Sequence, residues 1–424
     1  MQHTSAIYHA FDQTYKSVKD QIPELAKTGY KYIQLSPCQK SKTSENDVWW
    51  LRYQPIEFTI GNIYGSRDEL IELVNMSHSF GVKVIADLAL NFVASLEGVT
   101  KQDWNNAKPD EMKKYMQRLD TEFSQFTVHD FLPRTKIDKN GKTVRQWFSG
   151  ELPALNTNTQ KVRDIHMNYI NDLISCGIDG FRWDAIKYMD PSTLKYYLDH
   201  MPKHIWNYVE TMEKHDLEKI RPYFEIADIE DFTWCQFMVD AFEGKGNITM
   251  LQEADDYIRK TDVTFSVNHD TFHRHLTPWF TNEQNAILAT AFILAVKNGI
   301  PLILNRMANH EIIKTGVKFR KMMEDCDAPK SNYSEIAYVE HQKNYLIIER
   351  GKHGFCVINN NNKSIYIESL ANTYLSGNYK NVADGSIIRF TQPTVNPNVI
   401  VTNMYDRPIK IKVFKKSALF YYLI

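Results

Sequence analysis

The sequence predicts an α/β chain: a (β/α)8 barrel with a domain inserted after its third strand and an antiparallel β-sandwich at the C-terminal end. Three observations carry this. Short apolar runs near residues 7, 32, 84, 181, 208, 236, 266 and 302 alternate with stretches of helical period. The alternation breaks once, over more than 60 polar residues between the third and fourth runs, too long for a bare loop. Beyond about residue 335 the period changes from helical to two.

In order, AIYHAF (6–11) reads as the first strand and YKSVKDQIPELAKTG (15–29) as a helix stopped at Gly29. YKYIQLSP (30–37) is the second strand. A polar loop with two tryptophans leads to the helix SRDELIELVNMSHSFG (66–81), begun by Ser66 and ended by Gly81. VKVIADLAL (82–90) has the continuous apolar character of a buried parallel strand. The insert runs from Phe92 to Asn156, with a helical patch near 110–120. TQKVRDIHMNYINDLISCG (159–177) is a helix with Ile165, Tyr169, Leu173 and Ile174 on one face. The barrel resumes with DGFRWDAI (179–186), IWNYVET (205–211), FTWCQFMVD (232–240), VTFSVNHD (263–270) and GIPLILN (299–305) as strands. STLKYYLDHM (192–201), LQEADDYIRK (251–260) and EQNAILATAFILAV (283–296) lie between them. A doubly wound open sheet is the alternative, but its glycine-rich dinucleotide loop is absent. Six alternating runs, from YLIIERG to IKIKVF, make the C-terminal sheet. The expected divisions are a barrel of 1–91 and 157–337, an insert of 92–156 and a β domain of 338–424.

Composition narrows the function. The 424 residues carry 50 basic against 51 acidic side chains, a formal net charge of -1, which argues against nucleic acid or an anionic membrane as partner. A hydrophobic content of 43% supports a large core and excludes general disorder. The odd count of five cysteines, with no CxxC, implies reduced thiols and a cytoplasmic protein. The N-terminus lacks the pattern of a secretory signal, and no apolar stretch approaches the roughly 20 residues that span a bilayer.

Catalytic groups of such barrels sit at the C-terminal ends of the strands. Asp87, Asp184, Glu210 and Asp270 fall at the ends of the third, fourth, fifth and seventh runs. Converging carboxylates beside an arginine suit retaining glycoside hydrolysis, in which one attacks the anomeric carbon and another protonates the leaving oxygen. A barrel has many strand-end acids, so the spacing by itself leaves other chemistries open.

The motifs go further. DLALNF (87–92), GFRWDAIKY (180–188), YVET (208–211) and FSVNHD (265–270) resemble the four conserved regions of the α-amylase superfamily, glycoside hydrolase family 13. LPALN (152–156) is similar to the short region that closes the insert, and WWLRYQP (49–55) to a sugar-stacking loop of animal-type members. The resemblance implies Asp184 as nucleophile, Glu210 as general acid/base and Asp270 as the carboxylate binding ring hydroxyls. It implies that Arg182 orients Asp184 and keeps it ionised, and that His269 donates to a sugar hydroxyl. Tyr53, Trp49 and Trp50 would form the stacking platform, with Gln54 and Asp87 also on the substrate side.

Departures accompany the matches. Phe92 stands where a histidine is usual, Val209 where glycine precedes the acid, Tyr188 for a histidine, and Ala154 for an aspartate. In the family, Asn91, that aspartate and the residue at 188 surround a structural calcium, so loss of the acid implies an absent or altered calcium site and a bonding role for Asn91. No other cofactor is expected. LILNRMANHE (302–311) replaces the usual signature after the eighth strand, leaving Arg306 and His310 either near substrate or facing solvent. An animal-type chloride site would use Arg182 and Asn268 and lacks a third, basic ligand. The expected activity is hydrolysis of α-1,4 bonds in starch, glycogen or maltooligosaccharides. The alternatives are α-glucan transglycosylation by the same residues and an inactive glucan- or partner-binding protein on this fold.

Overall fold

The computed structural model describes residues 5–424 apart from 45, 47, 133–134, 138–142, 146–147, 150–151, 213–216, 245–246, 252–260, 274–277, 325–343, 371–372, 392–398 and 406. Eight parallel strands close a barrel: β1 (Ile7–Ala10), β2 (Tyr32–Leu35), β3 (Lys83–Leu88), β4 (Gly180–Trp183), β5 (Trp206–Glu210), β6 (Asp228–Glu230), β7 (Val263–Thr264) and β8 (Ile300–Leu304). Each pairs with its chain neighbours, and β8 pairs with β1 through Ile7↔Leu302. A helix follows each strand: α1 (Tyr15–Thr28), α2 (Arg67–Ser79), α3 (Gln160–Ser175), α4 (Pro191–Asp199), α5 (Leu217–Phe224), α6 (Phe232–Phe242), α7 (Glu283–Ala295) and α8 (Glu311–Glu324).

Local chemistry sets the helix ends. Thr14 caps α1 by accepting from the Ser17 N–H, and Gly29 ends it at φ 118, a left-handed turn that costs glycine little. Ser66 and Glu69 form a reciprocal capping box on α2. The apolar residues from Ala286 to Ala295 in α7 are buried all round, because that helix lies between the barrel and the C-terminal sheet.

One barrel strand is placed differently from the sequence reading. FTWCQFMVD is not the sixth strand but the body of α6, whose Phe232, Cys235, Met238 and Phe242 follow a helical spacing and are buried. Asp231 starts the helix by accepting from the Trp234 N–H. The strand is the preceding Asp228–Glu230, three residues long and too short to show a period. The expected segment LQEADDYIRK lies almost wholly outside the described residues, as does the 337/338 boundary.

Between β3 and α3 the insert carries helices Lys101–Asn106 and Pro109–Glu122 and two short hairpins. Trp104, Leu119, Phe123, Phe126 and Phe131 tie it to the main core. At its base Phe92 bridges Ala154, and the Leu155 N–H donates to the Asn91 carbonyl.

The C-terminal region is a seven-stranded antiparallel sheet with a two-stranded sheet across one face. Alternation sorts its side chains: Leu346, Ile348, Cys356, Ile358 and Phe420 join the barrel core, whereas Tyr345, Ile347, Phe355, Val357 and Tyr421 pack against Ile367, Ile411 and Val413 of the small sheet. Gly377–Asn381 and Ser417–Leu423 are strands beyond the six runs expected. The first is largely polar and central in the sheet, and the second lies beside it, paired on both edges.

Inside the barrel the lower layers are apolar, with Ile7, Ile85, Tyr208, Val263, Ile300 and Leu302 in one cluster. Gly180 sits where β4 meets β5 so closely that a Cβ would lie 2.7 Å from the Trp206 carbonyl oxygen. Gly180→Ala therefore forces backbone to move, and it should cost about 1–3 kcal/mol in denaturant unfolding.

Candidate active site

Above the apolar layers the inward-facing positions become polar. Asp87 on β3 and Arg182 on β4 are register partners, as are Glu210 on β5 and Glu230 on β6. Their side chains meet around a single cation. The Arg182 Nη1 lies 3.0 Å from Asp87 Oδ1 and 2.7 Å from Asp184 Oδ1, its Nη2 2.5 Å from Glu210 Oε1, and its Nε 3.2 Å from Glu230 Oε2. Arg182 and Asp87 are wholly buried, Glu210 and Glu230 nearly so, while Asp184 retains 8% exposure and so faces the opening.

The chain leaves β4 through Ala185 at φ 49, a strained conformation for alanine that aims its N–H at Glu210 Oε2, 2.9 Å away. Met212, two residues past Glu210, is also left-handed at φ 49. Asn91 donates to the carbonyls of Asp184 (3.2 Å) and Ala185 (3.0 Å), clamping that turn from the β3 side.

Four carboxylates share one guanidinium, so they cannot all ionise freely. Burial pushes Asp87 and Glu230 up to about 7, with Arg182 pulling each down. Burial and then Glu210 push Asp184 well above the usual carboxylate range, and Arg182 opposes both. Arg182 thus touches Asp184 and opposes its rise, with its charge divided among four carboxyl groups. Burial also raises Glu210 against Arg182, and Asp270, which shares a hydrogen bond with it, adds to the rise. A hydrogen bond between two carboxyl groups requires a proton on one of them.

Asp270 lies on the first turn of a short helix, His269–His273, just beyond β7, with its Oδ2 3.6 Å from His269 Nε2. The His269 ring is near-parallel to Tyr53 (centroids 5.4 Å apart, 8°) and to Phe11 (4.7 Å, 26°), and edge-on to Trp49. Trp49 is half-buried and edge-on to Trp50, which is 41% exposed, so the aromatic wall runs outward from His269 to solvent. The Tyr53 hydroxyl donates to Asp87 Oδ2 at 2.8 Å, tying that wall to the charged cluster. Gln54 turns instead to the insert, its Oε1 accepting from the N–H and hydroxyl of Ser95 at 3.3 Å each.

None of the sequence motifs includes Glu230; the structure puts it at the centre. Its Oε1 accepts from Asn268 Nδ2 at 2.8 Å, so the two residues an animal-type chloride site would use both donate to this carboxylate. Phe11, Gln34 and His9 were also missed. Gln34 accepts from the Tyr208 hydroxyl and lies 3.3 Å from His9 Nε2, below the cluster. Their one sequence signal is a polar residue or ring at the upper end of an apolar strand. Arg306 stacks over the Phe272 ring at 4.1 Å, while His310 accepts from the Ile312 N–H at the start of α8.

The catalytic-domain model of the family described as alpha amylase matches residues 13–216, the span that carries Asp87, Arg182, Asp184 and Glu210. Over that span the chain is similar to the catalytic domain of α-amylases. It is 24% identical over 380 residues to an alpha-amylase of Clostridium acetobutylicum, covering 83% of this chain and 47% of that protein. It is 28% identical over 298 residues to an alpha-amylase of Streptomyces violaceus, covering 69% and 50%. The match thus spans about half the length of these relatives. Among solved structures, a variant of alpha-amylase I from Eisenia fetida in complex with maltohexaose superposes with a TM-score of 0.78 at 17% identity, covering all of both chains.

We propose that the structural calcium site of the family is absent or altered here. Asn91 directs its amide N–H groups at two carbonyls, and the buried Ala154 has no side-chain oxygen. Asp130, whose carbonyl accepts from the Asn156 N–H at the end of the insert, is engaged by Lys161 at 2.5 Å and by Thr127. No group of three His, Cys, Asp or Glu that could hold a metal occurs among the described residues. Since calcium takes six to eight oxygen ligands, a chelator should leave the thermal unfolding midpoint within about 2 °C of its value without chelator.

Arg182→Leu would leave the buried carboxylates without their cation and should cost about 3–5 kcal/mol at neutral pH. The loss should shrink as pH falls towards 5. Acids whose folded pKa is raised bind more protons folded than unfolded, so their opposition to folding grows as pH rises from about 4 to about 7. Chemical denaturation across that window reads both quantities.

Proposed function

We propose that the chain is a retaining α-glucan hydrolase that cleaves α-1,4 bonds of starch, glycogen or maltooligosaccharides by double displacement. The observation that carries this reading is the Arg182 fork, which holds Asp184 on one terminal nitrogen and Glu210 on the other. Two carboxyl groups on one guanidinium suit the close spacing, about 5–5.5 Å, of retaining glycosidases. Asp184 attacks the anomeric carbon as Glu210 gives its proton to the leaving oxygen, and the glycosidic C–O bond breaks. Glu210 then takes a proton from water, which attacks the glycosyl ester and frees Asp184. The reactive state therefore needs Asp184 ionised and a proton on Glu210, whose pKa burial raises and Asp270 raises further.

Asp270 and His269 hold ring hydroxyls, and Trp49, Trp50 and Tyr53 offer ring faces and edges to the apolar faces of sugars. Asp87 acts from behind, through Arg182 and Tyr53. Phe92, packed on Ala154 and only 5% exposed, gives no hydrogen bond to the pocket, which favours a slower enzyme than one with histidine there. Transfer to a sugar acceptor uses the same first step, and the exposed Trp50 could seat an acceptor as readily as a substrate. The four cysteines among the described residues are free and buried, which supports a cytoplasmic setting.

Purified protein incubated with maltoheptaose should release shorter sugars with new reducing ends, read by time-resolved chromatography. Products longer than the substrate would establish transfer, and a flat trace would contradict both. Asp184→Asn should lower turnover below about one thousandth of wild type while unfolding stays cooperative. Undiminished hydrolysis would remove Asp184 from the nucleophile's role.

A further inference from the structure

We propose that Glu230 is a positioning residue of this site, a built-in anion that locks Arg182 to the turn bearing His269 and Asp270 and shares the charge Arg182 exerts on Glu210 and Asp184. The inference rests on the glycosidase reading above and adds to it a residue from outside the motifs that suggest it.

The geometry is specific. Glu230 is the last residue of β6 and 1% exposed, and each of its oxygens has one donor: Arg182 Nε on Oε2 and Asn268 Nδ2 on Oε1. Arg182 needs that contact to be fully fixed. Its two terminal nitrogens serve Asp87, Asp184 and Glu210, and a planar guanidinium held at Nε as well cannot rotate away from them. Asn268 is equally constrained: its Oδ1 accepts from the Thr271 N–H at 2.9 Å, and its own N–H donates to the Thr271 hydroxyl at 3.1 Å. The next two residues are His269 and Asp270. One carboxylate therefore couples the cation beneath the β4 and β5 acids to the β7 turn that carries the third.

The charge argument runs the same way. The groups facing Glu230 are Arg182 from β4, Tyr208 and Glu210 from β5 and Asn268 beyond β7, while Asp87, Asp184 and His9 of β1 act on the same Arg182. The cluster has one permanent cation. Glu230 takes a share of its field, so Glu210 keeps a proton to higher pH than it would if Arg182 acted on it with one fewer competitor. Removing the carboxylate while keeping the shape should therefore move the basic limb of turnover, where the general acid loses its proton, to lower pH.

The test compares wild type, E230Q and E230A. With maltoheptaose, E230Q should turn over more slowly, with KM changed less than about twofold, since Glu230 does not touch substrate. Its basic limb should lie about one pH unit lower than that of wild type. In E230A two buried donors face an empty space, so added formate at constant ionic strength should restore part of the lost turnover. Formate should also raise the unfolding midpoint of E230A and leave that of wild type unchanged. Superimposable pH profiles for E230Q and wild type, with an E230A midpoint indifferent to formate, would overturn the proposal. If wild type itself fails to cleave, the glycosidase reading falls, and the midpoint comparison, which needs no turnover, still decides whether Glu230 holds this anion position.

Discussion

The site depends on one buried cation. Arg182 has no exposed surface and reaches four carboxylates from four different stations around the barrel. An unpaired guanidinium or carboxylate at that depth would be strongly destabilising, whereas together they offset one another through charge-assisted hydrogen bonds. The arrangement also suits the chemistry proposed. Burial raises the carboxyls of a cluster with more acids than cations, and a retaining glycosidase needs one carboxyl ionised and one protonated within a short distance.

The fold supplies this cluster by register. Because the strands are parallel and staggered, Asp87, Arg182 and Tyr208 come side by side, and Glu210 comes beside Glu230. Apolar layers beneath them fix the strand spacing, and α7 and α8, packed against the C-terminal sheet, brace the barrel wall from outside. The insert contributes from above. Asn91, at its root, clamps the Asp184–Ala185 turn, and Ser95 holds Gln54 at the end of the aromatic loop. Direct hydrogen bonds thus brace the root of the insert against the barrel.

Much of this was legible in the sequence because the relevant signals are local. Strands with continuous apolar runs and helices with caps at Ser66 and Gly29 announce themselves, and the GFRWDAIKY and FSVNHD segments are specific enough to name Arg182, Asp184, His269 and Asp270. What was not legible is what depends on contacts across the barrel. The three-residue β6 shows no period, and the helical face of FTWCQFMVD, being apolar, passed for a strand. Glu230 suffered from the same error, since an acid ahead of a misread strand has no reason to point inward. Gln54 shows the converse: its motif suggested substrate, and its partner is Ser95, a residue 41 positions away.

The central claim is that Asp184 forms the covalent intermediate while Glu210 manages the proton. The most direct measurement is mass spectrometry of the Glu210→Gln variant after brief exposure to an α-maltosyl fluoride, whose good leaving group needs no acid for the first step. The account predicts a glycosyl mass on the peptide containing Asp184, formed faster than it hydrolyses. A label on any other carboxylate, or turnover of the fluoride with no protein-bound sugar at any time, would contradict it.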